Sequence, residues 1–279
     1  MASVSVASAA PSLDKRWKSF SLLFYRAVRD LKPVWMLEEM RTMEAFYQED
    51  DLKQRTYTPS EALLYAIVHD HQPYARFLLG RYPEEALAKP SERFWCCPSS
   101  APHLTMAVRY DRFCILRLIL HESRVRLHTE DVRTLLHLAC ELQRPEAVVI
   151  LLGSGASPQA VDQNGSTPLD VTLEKLRETS SGLATQCLDV LLMFTPKVRF
   201  KMRAALEAEP GLWRELLGEN TFGYLAKKSP APLVLIAMQT VVKQLSPATI
   251  LDSLQELPIP TSLKPPGLPM ARRARQQLI

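Results

Sequence analysis

An internal period narrows the fold of this chain more than any other property. Thr167-Pro168-Leu169-Asp170 re-enters the pattern of Thr134-Leu135-Leu136-His137 after 167 − 134 = 33 residues. Self-similarity at such a period means stacked units, none of which can bury its apolar face alone. Within the unit, Leu136 and Ala139 start the apolar face of a first helix that Thr134 is placed to cap, and His137 can hydrogen-bond the neighbouring turn. Ala147, Val148, Leu151 and Leu152 continue at helical spacing on a second helix. Gly153 and Gly155 end it, and Asp162, Asn164 and Gly165 are turn formers for the connection that follows.

This segment resembles an ankyrin repeat. A small residue on the first helix, with a Leu-Leu-like pair twelve positions later, traces further copies: Ala66 with Leu78 and Leu79, Ala107 with Ile119 and Leu120, Ala139 with Leu151 and Leu152. The spacing 107 − 66 = 41 implies an insertion after Leu79, whereas 139 − 107 = 32 is close to one unit. Thr172 opens a last copy with an insertion around Glu178 to Gly182. About four units then span residues 58–195, enough to bury a continuous core. The expected fold is an all-α ankyrin-repeat solenoid. Upstream, Phe20, Leu23, Phe24, Ala27, Val28 and Leu31 are helically spaced, Pro33 breaks that helix, and Val34 to Met43 follows as a second amphipathic piece. Residues 18–57 are read as an N-terminal helical cap and residues 1–17 as a flexible tail.

Composition removes several function classes. Nine glycines in 279 residues is about 3% against a usual share of roughly 7%, which argues against glycine-rich phosphate loops. Gly153-Ser154-Gly155 follows a helix and lacks a third glycine, so it is no dinucleotide loop. With 34 Lys+Arg against 30 Asp+Glu the net charge is +4, and apart from Arg272, Arg273 and Arg275 the basic residues are dispersed, so no nucleic-acid partner is expected. The longest apolar run, Pro232 to Val242, is interrupted by Gln239 and Thr240 and is too short to insert in a membrane. Five cysteines without a secretion signal read as reduced thiols in the cytosol, with association with vesicles or enzyme assemblies left open. His69 and His71 bracket Asp70, but too few ligands lie near for zinc, and a turn between repeat helices is the favoured reading. Cys140 occupies a small, buried repeat position and is read as packing, so neither a catalytic residue, a metal nor a cofactor is expected.

The C-terminal third breaks the period. Helical segments are expected over Arg203 to Glu209 and Gly211 to Leu225, within a linker of residues 196–230. In Pro232-Leu233, Ala237 and Val241, the four-residue spacing puts apolar or small side chains on one helical face. Ser246-Pro247 begins another helix, with Ile250, Leu251, Leu254 and Leu257 on its apolar face, that runs into the proline-stiffened Leu257-Pro258-Ile259-Pro260. Residues 231–265 resemble a SOCS box: a BC box of Pro-Leu-x-x-x-small-x-x-x-apolar, then a cullin box centred on Leu-Pro-apolar-Pro. Ala237 stands where Cys is commoner, and Lys264-Pro265-Pro266-Gly267 replaces a third helix. The resemblance implies that Pro232, Leu233, Ala237 and Val241 contact elongin C, and that Leu257, Pro258, Ile259 and Pro260 face a cullin, five in preference to two.

Over about Phe20 to Leu263 the chain resembles the ankyrin repeat domain-containing protein nine family. The likeness rests on FYRAVRDLKPVWMLEEM, Thr58 to Ala75, Cys96-Cys97, AVRYDRFCILRLIL and ELPIP. It implies a non-enzymatic substrate receptor that works with elongin B, elongin C, a cullin and a RING subunit to mark metabolic enzymes, IMP dehydrogenase among them, for degradation. Arg93, Phe94, Trp95, Cys96 and Cys97, in the insertion after Leu79, are the candidate substrate contacts, since Trp, Phe and Arg anchor interfaces. Phe94 and Trp95 could equally seal the long repeat junction. The alternative for the whole chain is an ankyrin scaffold or inhibitor whose last third caps the stack, with Leu233 buried against Trp213 and Leu217. Residues 266–279 are read as a flexible basic tail.

Overall fold

Short helices with unusual ends build this chain. The computed structural model describes residues 23–43, 46–47, 54–91, 101–122, 129–245, 250–260 and 264. The two tails, Arg93 to Cys97 and Ser246-Pro247 lie outside these residues. The chain divides into two compact units, residues 1–96 and 97–279.

In the first unit, α1 (residues 23–29) and α2 (Val34–Met43) flank Pro33, and α3 (Pro59–Val68) pairs with α4 (Gln72–Arg81). A short ribbon, β1 (Phe46–Tyr47) antiparallel to β2 (Gln54–Arg55), supplies the only strands among the described residues of an otherwise all-α fold. The second unit holds three helix pairs: α5 (Pro102–Arg109) with α6 (Phe113–Glu122), α7 (Thr129–Glu141) with α8 (Pro145–Gly153), and α9 (Pro168–Thr179) with α10 (Gly182–Phe194). First helices stack on first helices and second on second: α5 on α7 and α7 on α9, then α6 on α8 and α8 on α10. Then come α11 (Arg203–Ala208), α12 (Pro210–Leu225), α13 (Leu233–Gln244) and α14 (Ile250–Glu256).

Helix starts follow the threonine boxes. Thr58 accepts from the Glu61 amide while Glu61 accepts from the Thr58 amide, with Pro59 at the first helical position; Thr167, Pro168 and Asp170 repeat the arrangement on α9. Thr134 does not cap its helix, because α7 begins at Thr129.

Helix ends solve the shortage of glycine. Asp70, Asp111 and Gln143 adopt left-handed φ values of 55°, 59° and 54°. After each, the next amide reaches back to the alanine of the repeat landmark: His71 to the Ala66 carbonyl at 2.8 Å, Arg112 to Ala107 at 2.8 Å, Arg144 to Ala139 at 2.9 Å. These are Schellman closures built on polar residues instead of glycine. Gly155, at φ 97°, ends α8 in the same way, as its spacing predicts. The insertion around Glu178 to Gly182 becomes extra helix: α9 runs to Thr179, Ser180 turns left-handed, and Ser181 caps α10.

One break was not visible in the apolar pattern. Gly218, at φ 74° and ψ 159°, splits α12 in two. That conformation is open essentially to glycine alone. Gly218→Ala is expected to lower unfolding stability by about 1–3 kcal/mol, read by urea titration.

The first unit is fastened by rings and one part-buried ion pair. Phe24 stacks on Tyr57 with ring centroids 4.6 Å apart, and Tyr25 meets Tyr65 edge-on at 5.3 Å. Arg41 grips Glu38 through two nitrogens at 2.8 and 2.5 Å and donates to the Tyr57 carbonyl at 2.8 Å; Tyr82 and Tyr74 hydroxyls donate to the same carboxylate at 2.8 and 3.3 Å. Burial alone would raise the Glu38 carboxyl, but the bonds from Arg41, Tyr82 and Tyr74 outweigh it and hold its pKa below the ordinary range. A depressed carboxyl contributes stability that is complete above its unfolded pKa and disappears as pH falls through the folded one. Glu38→Gln is therefore expected to lower the melting temperature at neutral pH, with the difference from the native chain shrinking steadily on acidification.

Candidate protein-binding site

The C-terminal segment runs back along the second helices of the repeats. α13 packs on α10, α14 packs on α8, and Arg117 of α6 pairs with Asp252 of α14 at 2.7 Å. Pro232 is the cap of α13, extended at φ −54° and ψ 141°, so the helix proper opens at Leu233.

The rotation of α13 decides what it offers to solvent. Met238 and Gln239 are buried, and Leu235 packs against the cluster of Trp213, Phe222 and Leu225. The Gln239 amide donates to the Leu192 carbonyl at 2.9 Å, which also accepts from the Thr195 amide at 3.2 Å, and to the Thr195 carbonyl at 3.4 Å, so the side chain ties α13 to the end of α10. Leu233 and Ala237 lie on the opposite face, where helical spacing groups positions four apart. Leu233 is 84% exposed, Val234 53% and Ile236 44%, while Val241 is half-buried at the margin. Leu233 therefore does not seal the stack against Trp213 and Leu217; Leu217 and Leu235 occupy the edge of that cluster. Exposed apolar residues grouped on one face are the surface signature of a partner site.

The second box is held less openly. Leu254 anchors α14 by complete burial, Leu257 and Ile259 are half-buried, and Pro258 and Pro260 are exposed. The Ile259 amide donates to the Leu257 carbonyl at 2.8 Å. The side chains of Ile250 and Leu251 lie outside the described residues.

His71, His137, Cys140 and Cys187 have structural surroundings. The Tyr74 amide donates to Nδ1 of His71 at 3.3 Å, which leaves Nε2 to donate to the Lys32 carbonyl at 2.9 Å; His71 thus caps α4 and holds the end of α1. His137 Nε2 lies 2.9 Å from the Ser166 carbonyl, in the turn that Asp162 organises by accepting from the Asn164 and Ser166 amides at 2.8 and 2.7 Å. Among the described residues no cluster of three His, Cys, Asp or Glu is placed to hold a metal ion. Burial pushes the Cys140 thiol up to about 12, against a weaker opposing bond with Thr172, and raises Cys187 as well. A thiol that stays protonated at neutral pH is a poor nucleophile. Under native conditions iodoacetamide is expected to modify exposed Cys114 and to spare Cys140 and Cys187 until the chain unfolds, read by peptide mass spectrometry.

The ankyrin repeat family model matches residues 131–163, the unit of α7, α8 and the turn after them. Mouse (Mus musculus) ankyrin repeat domain-containing protein 9 is 40% identical over 295 aligned positions, which cover 91% of this chain and 90% of that protein. The chain belongs to the ankyrin repeat domain-containing protein 9 family. Within that family its repeats assign it a protein-binding role of the adaptor kind. Among the described residues, no helix is long and apolar enough to cross a membrane.

Two contributors to the site were missed by reading the chain in one dimension. Gln239 looked like an interruption of an apolar run, yet it is the docking residue that sets the helix rotation. Asp252 gave no signal, since a surface carboxylate finds its partner, Arg117, 135 residues away only in the folded chain.

Proposed function

We propose that this protein is the substrate-recognition subunit of a ubiquitin ligase assembled on elongin B and elongin C. The exposure of Leu233 and Ala237 on a helix anchored by its other face carries this reading: an amphipathic helix with a free apolar face is a ready ligand for a hydrophobic groove. Pro258 and Pro260 flank Ile259 in the stiff segment offered to a cullin, five in preference to two, which recruits the RING subunit. The chain contributes proximity, and its partners perform ubiquitin transfer in the cytosol. Arg93, Phe94, Trp95, Cys96 and Cys97 remain the proposed substrate contacts, and a metabolic enzyme such as IMP dehydrogenase the proposed substrate.

Co-expression with elongin B and elongin C tests the reading. A stable ternary complex on size exclusion is the expected result; its absence would overturn the receptor assignment. The second reading, a scaffold with no ligase role, is favoured by the attachment of α14 to the repeats through Leu254 and Arg117–Asp252. It expects no elongin complex.

A further inference from the structure

The chain alternates between the last repeat and α11. Lys197, Arg199 and Lys201 are exposed, whereas Val198, Phe200 and Met202 pack against the cluster around Leu206 and Trp213. A period of two belongs to an extended chain, here residues 198–200 between bends at Lys197 and Lys201, and same-face residues of such a chain lie roughly 6.5–7 Å apart. Both ends are pinned. The Gln159 amide bonds the Lys197 carbonyl, and the Lys201 and Met202 amides donate to the buried Asp170 carboxylate at 2.7 and 3.0 Å. Lys201 also reaches the Asn164 carbonyl with its ammonium group. Between the pins the main-chain groups of Val198, Arg199 and Phe200 make no hydrogen bond among the described residues. None of the three cations is in an ion pair there either.

An extended edge with unpaired amides and carbonyls is a template for another strand. This one is held in shape by its apolar side and charged on its outer side. We propose that residues 197–201 are a docking edge for an extended acidic segment of a protein partner. The segment pairs with the open main chain as an added strand and sets alternate carboxylates beside Lys197, Arg199 and Lys201, where same-face cross-strand neighbours come within about 5 Å. A nucleic-acid strand fits less well, because its phosphates could meet the cations but would have no donors for the edge carbonyls. The inference needs only a protein-binding role and does not depend on elongin.

The test uses the full chain and a fluorescent Glu-Val-Glu-Val-Glu-Val-Glu peptide followed by anisotropy. Saturable binding is expected, weakened by added salt. Arg199→Glu and, separately, Lys197→Glu should each weaken it by about tenfold or more, since a repulsive charge replaces an attractive one. Both side chains are exposed, and an unchanged thermal melt for either variant shows that folding is intact. The same peptide N-methylated at alternate residues keeps its charge but cannot pair as a strand, and it should bind at least about tenfold more weakly. The proposal is overturned if the native chain does not bind the peptide, if the folded charge variants or the N-methylated peptide bind as well as the originals, or if oligothymidylate binds more tightly than the peptide.

Discussion

Leu233→Arg abolishes co-purification with elongin B and elongin C and leaves the fold intact; this is the expected result with the largest effect on function. Leu233 is 84% exposed, so the arginine meets solvent and no core. Surface substitutions of this kind change stability by about 0.5 kcal/mol or less, to which a cation near the start of a helix adds a penalty of about 0.3–1 kcal/mol. In the proposed elongin complex the same position would be a buried anchor, and inserting a charge into an apolar pocket costs several kcal/mol, on the order of a hundredfold or more in affinity. The two effects are therefore separable by a thermal melt and a pull-down on the same preparation. Full retention of elongin binding by the variant would remove α13 from the interface. A collapse of the melting temperature would mean that the helix sits elsewhere in solution.

Asp170→Ala is expected to cause a large loss of stability in the repeats. Its carboxylate is 1% exposed and accepts four hydrogen bonds: from the Thr167 amide at 2.8 Å and hydroxyl at 2.7 Å, and from the Lys201 and Met202 amides at 2.7 and 3.0 Å. Truncation leaves three main-chain donors without their acceptor, at about 1–3 kcal/mol each. Some relaxation and water entry offset this, so the expected loss is about 3–5 kcal/mol, or a fall of roughly 10–15 °C in melting temperature. Hydrogen exchange should rise first at Lys201 and Met202, because the carboxylate is the acceptor of both amides. A loss under about 1 kcal/mol would show that solvent replaces the carboxylate and that the segment is held by Val198, Phe200 and Met202 together with the Gln159–Lys197 and Lys201–Asn164 bonds.

The architecture of the repeats was legible because it is written in local chemistry. A period of 33, a Thr-Pro pair to open a helix, and an alanine before each closure are all properties of neighbouring residues. The alanines at 66, 107 and 139 mark the acceptors of the Schellman closures, which is why their intervals match those of Asp70, Asp111 and Gln143. Misplaced details had local competitors: Thr134 lost its capping role to an earlier start, and Gly218 breaks a helix whose apolar spacing runs on unbroken.

What the chain alone determined, then, was the helical pairs, their turns, and the presence of a helix carrying Leu233, Ala237 and Val241 on one side. Amphipathic spacing tells which residues share a face but not which of two faces meets the protein, since both sides of α13 are apolar. The tertiary structure decided that. Gln239 bonds the carbonyls at the end of α10, Leu235 and Met238 face inward beside it, and Leu233 is turned outward. The same long-range pairing fixed α14 through Arg117 and tied residues 197–201 to Asp170. Each is a contact between groups more than thirty residues apart, beyond the reach of any local pattern.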